Sequence, residues 1–251
     1  MTKRQTMEFT FQNFQTEYQI YTEIENHFLE QRFNNIANVP VTTHLTRVAD
    51  EFKNLDVKMR LAFGISAIQL NNDFVSDKEG DLKLCHLLYY KLADLWFAYE
   101  TYIKLYEIVT GTRKLKIVWL DGVIHKSYAI SPTIITALTF VNYGFTTTFN
   151  SVAKRNELIK YLEYCVLQAV SSQKQRLSGI IAKVRQGSFT LTHSETLTII
   201  YAIRNNFVHN GETTVVPNIF GYRNKNKLLK ILYPYLSLVL LKATNITCRR
   251  V

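Results

Sequence analysis

The sequence predicts an all-α protein. Only 9 glycines and 4 prolines occur among its 251 residues, whereas sandwiches and barrels of many strands need frequent turn residues. In its long segments, apolar side chains recur at spacings of three and four, which is the period of one helix face. The composition is 47% hydrophobic, so a sizeable core can be buried and a largely disordered chain is excluded.

The N-terminal part of the chain predicts two helices. An apolar face within a polar segment indicates a helix over residues 8–37, and Pro40 is expected to interrupt it. A second helix is expected over 42–70.

A polar stretch then separates this part from the rest of the chain. The sequence NNDFVSDKEGD at 71–81 has no apolar period and is interpreted as a linker. We therefore divide the chain into an N-terminal helical extension, 1–76, and a helical domain, 77–251.

A long helix follows the linker. Asp81 is predicted to be its N-cap, and Gly111 is predicted to end it just after Val109. Its core face is predicted to carry seven large side chains: Leu84, Leu88, Leu92, Leu95, Tyr99, Tyr102 and Tyr106. RKLKIVWLDG at 113–122 is the one strand-like segment, and an extended loop fits it equally well.

Further helices are expected toward the C-terminus. Residues 131–149 fit a helix rich in β-branched side chains, and 151–185 fit one long helix or two with a break near Ser171. A last helix is expected over roughly 226–242, followed by the tail TNITCRRV.

The most informative helix is predicted between these, from Thr192 to His209. Thr192 and Glu195 have the Ser/Thr-x-x-Glu spacing of a capping box, in which each side chain bonds the other residue's backbone N–H. Asn210 and Gly211 can supply the left-handed turn that ends a helix. The helix is therefore expected to have about five turns.

The net charge and the cysteine content indicate which ligands and which cellular compartment to expect. A formal net charge of +10 favours a phosphate-rich partner. The three cysteines lie far apart without zinc spacing, which predicts reduced structural thiols, no metal site and no cofactor. Because the sequence has no signal-peptide run and no stretch of ~20 clean apolar residues, we expect a soluble, cytoplasmic protein without membrane contact.

Polar residues cluster on the helix that ends at His209. Arg204 falls near the middle of an apolar arc formed by Leu197, Ile200, Tyr201, Phe207 and Val208. It needs an acidic partner, a cleft or a phosphate, because a buried unpaired charge costs several kcal/mol. Asn205 and His209 share one flank, whereas Arg204 and His209 stand about 140° apart. These last two are expected to converge only if the helix end frays or two copies of the helix face each other.

Each residue taken alone also fits a simpler role. Arg204 fits a buried ion-pair partner, and His209 fits a favourable charge at the C-terminal end of the helix dipole. The combination of a cation, an amide and an imidazole on an apolar helix of a basic protein favours a functional site.

The segment RNNFVHNG resembles the Arg-x(4–6)-His motif of the HEPN superfamily (higher eukaryotes and prokaryotes nucleotide-binding domain). In that family a polar residue, very often Asn, follows the Arg, as Asn205 does here. The position of the motif is also similar: an amphipathic helix near the C-terminus of an all-α chain, followed by one more helix. The resemblance covers at most residues 80–245 and implies a HEPN-like helical bundle.

Two further sets of candidates follow. The family tends to hold an acidic residue in a Trp–aromatic–Glu context on an earlier helix, and the similar LADLWFAYETY nominates Glu100. A surface ion pair with Lys104 is an equal alternative for Glu100. Arg223, Lys225 and Lys227 alternate with asparagines after the motif and fit either RNA-backbone contacts or a solvated helix start.

The resemblance implies a metal-independent endoribonuclease. Its homodimer would bring two motif helices together in a composite site, where the ribose 2′-OH attacks the adjacent phosphate and leaves a 2′,3′-cyclic phosphate and a 5′-hydroxyl. Arg204 would hold the phosphate, His209 would be the general base or acid, and Asn205 would orient one of them. Such enzymes act as toxins or in antiviral defence, with an antitoxin or other regulatory protein as a partner.

Two alternatives belong to other classes. One is a non-catalytic HEPN-like module that binds nucleotide, RNA or a protein. The other is a structural dimerisation protein whose Arg204 pairs with an acid across the interface.

Overall fold

The computed structural model describes residues 3–68, 79–112 and 131–251, and over these ranges it is helical without strands, which confirms the all-α prediction. The strand-like segment 113–122 lies outside the described residues. The helices are α1 (Lys3–Thr22), α2 (Ile24–Asn34), α3 (Val39–Gly64), α4 (Glu79–Thr110), α5 (Ser131–Thr148), α6 (Val152–Gln168), α7 (Ser171–Arg185), α8 (His193–His209) and α9 (Tyr222–Cys248).

The helix α4 is central to the fold. It packs most extensively against α3 and α9 and also contacts α8. Six of its seven predicted core side chains are buried, and Leu84 is partly buried against them. The prediction that Asp81 caps α4 is wrong, because the helix begins at Glu79; Asp81 lies in its first turn and accepts a hydrogen bond from Asn226 Nδ2 at 3.5 Å.

The N-terminal helices differ from the prediction in their bounds. The helix expected over 8–37 is broken at Glu23 into α1 and α2. Pro40 does not interrupt a helix but lies in the first turn of α3, where the missing N–H costs no intrahelical hydrogen bond. The helix α3 therefore begins earlier than expected, and it ends at Gly64 rather than near 70.

The helices on both sides of the predicted boundary near residue 76 share one buried core. Residues 69–78 lie outside the described ranges, but Tyr21 and Phe52 belong to the same buried cluster as the α4 and α9 side chains. Glu17 of α1 also accepts hydrogen bonds at 2.7 Å from Lys242 and at 2.8 Å from Asn245, both on α9. The extension is thus packed onto the domain by apolar and polar contacts.

The last helix is longer than predicted. It spans Tyr222–Cys248, so the segment expected to be a tail is mostly helical and buried. Its polar residues look like a tail in the sequence, but the Asn245 amide bonds Glu17 and the Thr247 hydroxyl bonds the Tyr102 hydroxyl at 3.0 Å. Within the described residues, α9 alone has the length and apolar character of a membrane span; 78% of that window is buried inside the protein, as in a core helix.

Of the two alternatives for residues 151–185, the structure shows two helices, and the predicted capping box of α8 is confirmed. The helices α6 and α7 are separated at residues 169–170, close to the break considered near Ser171. At the start of α8, Thr192 Oγ1 accepts the Glu195 N–H at 3.2 Å, while Glu195 Oε2 accepts the Thr192 N–H at 2.8 Å. Lys183 Nζ reaches Glu195 at 2.8 Å and ties α7 to this cap.

Removing the capping hydroxyl is expected to destabilise the fold. Thr192→Ala should lower the free energy of unfolding by about 1 kcal/mol, because the backbone N–H of Glu195 loses its acceptor. Urea unfolding measures the loss, with Thr190→Ala, an exposed threonine outside the cap, as the matched control. Equal midpoints for the two variants would contradict a contribution from the capping box.

Candidate functional site

The predicted motif residues lie in the last two turns of α8, alongside α4. Arg204 is buried, with 8% of its surface exposed, whereas Asn205 is half-buried and His209 is exposed. The arginine therefore forms the floor of the cluster and the imidazole its open edge. A ligand can approach the cluster from the His209 side.

The Arg204 guanidinium is held by residues of α4. Its Cζ lies 4.6 Å from the centroid of the Phe97 ring, and its Nη2 lies 4.0 Å from Glu100 Oε2. Trp96 Nε1 donates to the other Glu100 oxygen at 3.0 Å, which fixes the carboxylate. The structure thus brings Glu100 to Arg204, in the Trp–aromatic–Glu segment that nominated it. Phe97, in the same segment, was missed, although an aromatic face is a common partner for a guanidinium.

Arg204 also contacts both polar residues of its own helix. Its Nη1 lies 2.9 Å from Asn205 Oδ1 and 3.1 Å from His209 Nε2. The expectation that Arg204 and His209 converge only through fraying or a second copy is wrong. The angle of 140° separates the Cα positions, but the long arginine side chain reaches toward the helix end, where the ring of the last helical residue meets it.

A guanidinium has only donors, so the 3.1 Å contact is a hydrogen bond only when Nε2 accepts, that is, when the imidazole is neutral with its proton on Nδ1. The neutral imidazole is also the form that acts as a general base, provided that Nε2 is released from Arg204. Arg204 Nε, in contrast, is buried and has no hydrogen-bond partner among the described residues.

Apolar side chains are exposed near the C-terminal end of α8. Tyr90 and Val208 are exposed by 47% and 39%, and the Tyr90 ring packs edge-on against Phe207 at a centroid distance of 5.2 Å. They provide an apolar surface at this end of the helix.

The three basic residues predicted to bind RNA divide into two groups. Arg223 and Lys227 are exposed, whereas Lys225 is 1% exposed. The expectation that Lys225 contacts RNA is wrong, because residues two apart on a helix point about 200° apart and Lys225 faces the interior. Its ammonium donates to the carbonyls of Thr213 at 2.6 Å and Val216 at 2.7 Å.

Lys225 belongs to a buried ionic cluster at the end of α8. Glu212, 1% exposed, places Oε1 3.3 Å from Lys225 Nζ and accepts from the hydroxyls of Tyr89 at 2.5 Å and Tyr161 at 2.8 Å. Burial raises the pKa of both tyrosines well above the ordinary value, and burial lowers the pKa of Lys225 while Glu212 opposes that change.

This cluster is coupled to the motif helix. The Glu212 N–H donates to the Asn206 carbonyl at 2.9 Å, and the Tyr89 ring stacks on Phe207 at 4.9 Å. The last turn of α8, which carries His209, is therefore held in place by the buried cluster. Glu212 was not among the residues predicted from the sequence, since nothing in the spacing of Glu212 and Lys225 shows that they meet.

The described ranges contain no cluster of three or more His, Cys, Asp or Glu side chains that could hold a metal ion. No protein-family model, curated protein or solved structure matches the chain.

Removing the buried ammonium is expected to be strongly destabilising. Lys225→Met should lower the free energy of unfolding by about 3–5 kcal/mol, because it leaves the Glu212 carboxylate buried without its cation. Adding Glu212→Gln should recover much of that loss. Chemical denaturation measures both, with the exposed Lys227→Met as the matched control. If Lys225→Met unfolds at the same denaturant concentration as Lys227→Met, the ionic cluster does not anchor α8.

Proposed function

We propose that the chain is a metal-independent endoribonuclease of the HEPN type. The observation that carries the proposal is the contact of Arg204 Nη1 with His209 Nε2 at 3.1 Å, beside Glu100 on α4. It combines a fixed cation with an imidazole at an open edge. A cation that binds the phosphate and a base for the 2′-hydroxyl both serve the transesterification of RNA.

Arg204 supplies the positive charge for the scissile phosphate. Its guanidinium is preorganised by Phe97 and Glu100, and its Nη1 is directed toward His209. Charge-assisted hydrogen bonds from arginine suit phosphate oxygens and stabilise the charge that develops on them. Asn205, within 2.9 Å of the guanidinium, keeps it directed toward the open edge.

His209 moves the proton of the attacking hydroxyl. When a phosphate binds the guanidinium, Arg204 Nη1 exchanges the imidazole for a phosphate oxygen, and Nε2 becomes free to accept. The 2′-OH gives its proton to Nε2 as the 2′-oxygen bonds to phosphorus. The bond from phosphorus to the 5′-oxygen breaks, which leaves a 2′,3′-cyclic phosphate and, after protonation, a 5′-hydroxyl.

The leaving oxygen requires a second proton donor. In an in-line displacement the attacking and leaving oxygens lie on opposite sides of phosphorus, so a single imidazole cannot serve both. A second copy of α8 facing the first would supply a protonated His209 to the leaving side. Exposed apolar side chains near the same end of α8, Val208 and the Tyr90 ring on Phe207, support such a contact between copies.

The proposed substrate is an RNA strand that passes along the start of α9. Arg223 and Lys227, exposed on the first two turns of α9, would contact the phosphates of the bound strand. The need for a 2′-hydroxyl excludes DNA as a substrate. The proposed setting is a toxin or an antiviral effector in the cytoplasm, restrained by an antitoxin or other regulatory protein.

Loss of either motif residue should abolish cleavage. In EDTA, the purified chain is expected to degrade RNA and leave single-stranded DNA intact, whereas Arg204→Ala and His209→Ala should each be slower by at least ~100-fold. Gel analysis with end-group mapping measures this, and His44→Ala on α3 is the control. Unchanged cleavage by either folded motif variant would contradict the site. If neither the wild type nor any variant cleaves RNA, but the wild type binds it, the chain is an RNA-binding module and not a nuclease.

The exposed cations of α9 should contribute to RNA affinity through ion release. Arg223→Ala and Lys227→Ala are each expected to reduce the slope of log affinity against log salt by about 0.7, the value for one contact with a single-stranded phosphate. Fluorescence anisotropy with an RNA oligonucleotide measures the slope, using Arg204→Ala as background to prevent cleavage. Lys174→Ala, an exposed lysine on α7, is the control. Equal slopes for all variants would show that Arg223 and Lys227 do not contact the RNA.

A further inference from the structure

Four large apolar side chains are exposed on the hairpin formed by α2 and α3. Leu29, Phe33, Ile36 and Val39 have exposed fractions of 63%, 76%, 75% and 68%. They follow one another along the end of α2, the turn after it and the start of α3. We call them the α2–α3 surface. Contiguous apolar patches of this kind mark interaction sites on soluble proteins.

An apolar groove lies directly beside this surface. The apolar Phe28, Leu29, Ala49 and Phe52 line it together with the charged Glu25, Arg32 and Lys53, and its volume is about 230 Å³. That is below the ~300–1,000 Å³ of ordinary small-molecule pockets, so the groove has the size for inserted side chains. One surface therefore presents both projecting apolar groups and a groove that can receive them.

We propose that the α2–α3 surface binds the same surface of a second copy of this chain. In a twofold interface each patch meets its own copy. With the axis near Leu29, the two α2 helices run antiparallel, and Phe33 of each subunit lies over the groove of the other. Both copies then bury their projecting side chains in the same contact.

The charges on α2 fit this arrangement. Glu25 and Arg32 are both exposed and lie at the rim of the groove, four residues before and three residues after Leu29. Antiparallel pairing about Leu29 brings Arg32 of one subunit close to Glu25 of the partner subunit, twice in the dimer. This match of opposite charges favours a second copy as the occupant over an unrelated protein or a lipid surface.

The wild-type chain is expected to self-associate through this surface. Sedimentation velocity over a concentration series should show that Phe33→Glu halves the mass of the wild-type species. Leu167→Glu, a 75%-exposed leucine at the end of α6, is the matched control and should leave the mass unchanged. Circular dichroism checks that the variants fold. A monomeric wild type, or equal masses for Phe33→Glu and the wild type, would overturn the proposal.

Charge reversal identifies the occupant. Glu25→Arg and Arg32→Glu should each weaken association at least ~10-fold, because each creates like-charge contacts, and the double variant should return to within ~3-fold of the wild type. A double variant no tighter than the single ones would overturn pairing between copies, as would binding of the wild type to lipid vesicles with no self-association.

Self-association through the α2–α3 surface does not depend on RNA cleavage. Arg204→Ala and His209→Ala leave α2 and α3 unchanged and should retain the charge-reversal pattern. If the wild type does not cleave RNA but shows the expected charge-reversal pattern in association, the proposed function alone is rejected. Equal masses for Phe33→Glu and the wild type, with intact cleavage, would reject this interface alone, because the pairing of α8 helices in the proposed function is a separate contact.

Discussion

The buried charge of Arg204 determines how the end of α8 is built. A guanidinium with 8% of its surface exposed would be costly without partners, and four neighbours offset that cost. Glu100 provides the counter-charge, Phe97 an aromatic face, and Asn205 and His209 hydrogen-bond acceptors. Because these partners come from both α4 and α8, the same interaction that keeps the charge inside also sets the register of the two helices and the direction of the imidazole.

A second buried ion pair lies at the end of the same helix. Glu212 and Lys225 are almost fully buried and bind Tyr89, Tyr161 and two backbone carbonyls. Such a network costs desolvation, and its benefit is a defined geometry. Here the network holds the residues that follow His209, so the exposed imidazole is attached to a well-packed part of the structure. A proton-transfer site needs such support, since a small displacement of the catalytic imidazole reduces the reaction rate.

Several features that depend on local rules could be predicted from the sequence. The core face of α4 follows from its spacing of apolar residues, and the capping box at Thr192 follows from cap chemistry. The motif residues were found because a cation, an amide and an imidazole stand close together on one apolar helix. Local rules failed at Asp81 and Pro40, where they misplaced the start of a helix. Features that depend on distant partners were not predictable. Buried polar residues of α9 such as Asn245 resemble a tail until their partners on α1 and α4 are known, and Lys225 resembles its exposed neighbours. Its spacing places Lys225 on the face of α9 opposite Arg223, but which of the two faces is buried depends on partners such as Glu212.

The proposed mechanism is tested most directly by one atom of the substrate. The cut in an RNA oligonucleotide is first mapped, and the ribose on its 5′ side is then replaced by 2′-deoxyribose, with all other positions unchanged. If the 2′-hydroxyl is the nucleophile that His209 activates, cleavage at that bond should disappear while cuts at other bonds continue. Cleavage at the substituted bond at the original rate would show that water attacks instead, and would contradict the roles proposed for Arg204 and His209.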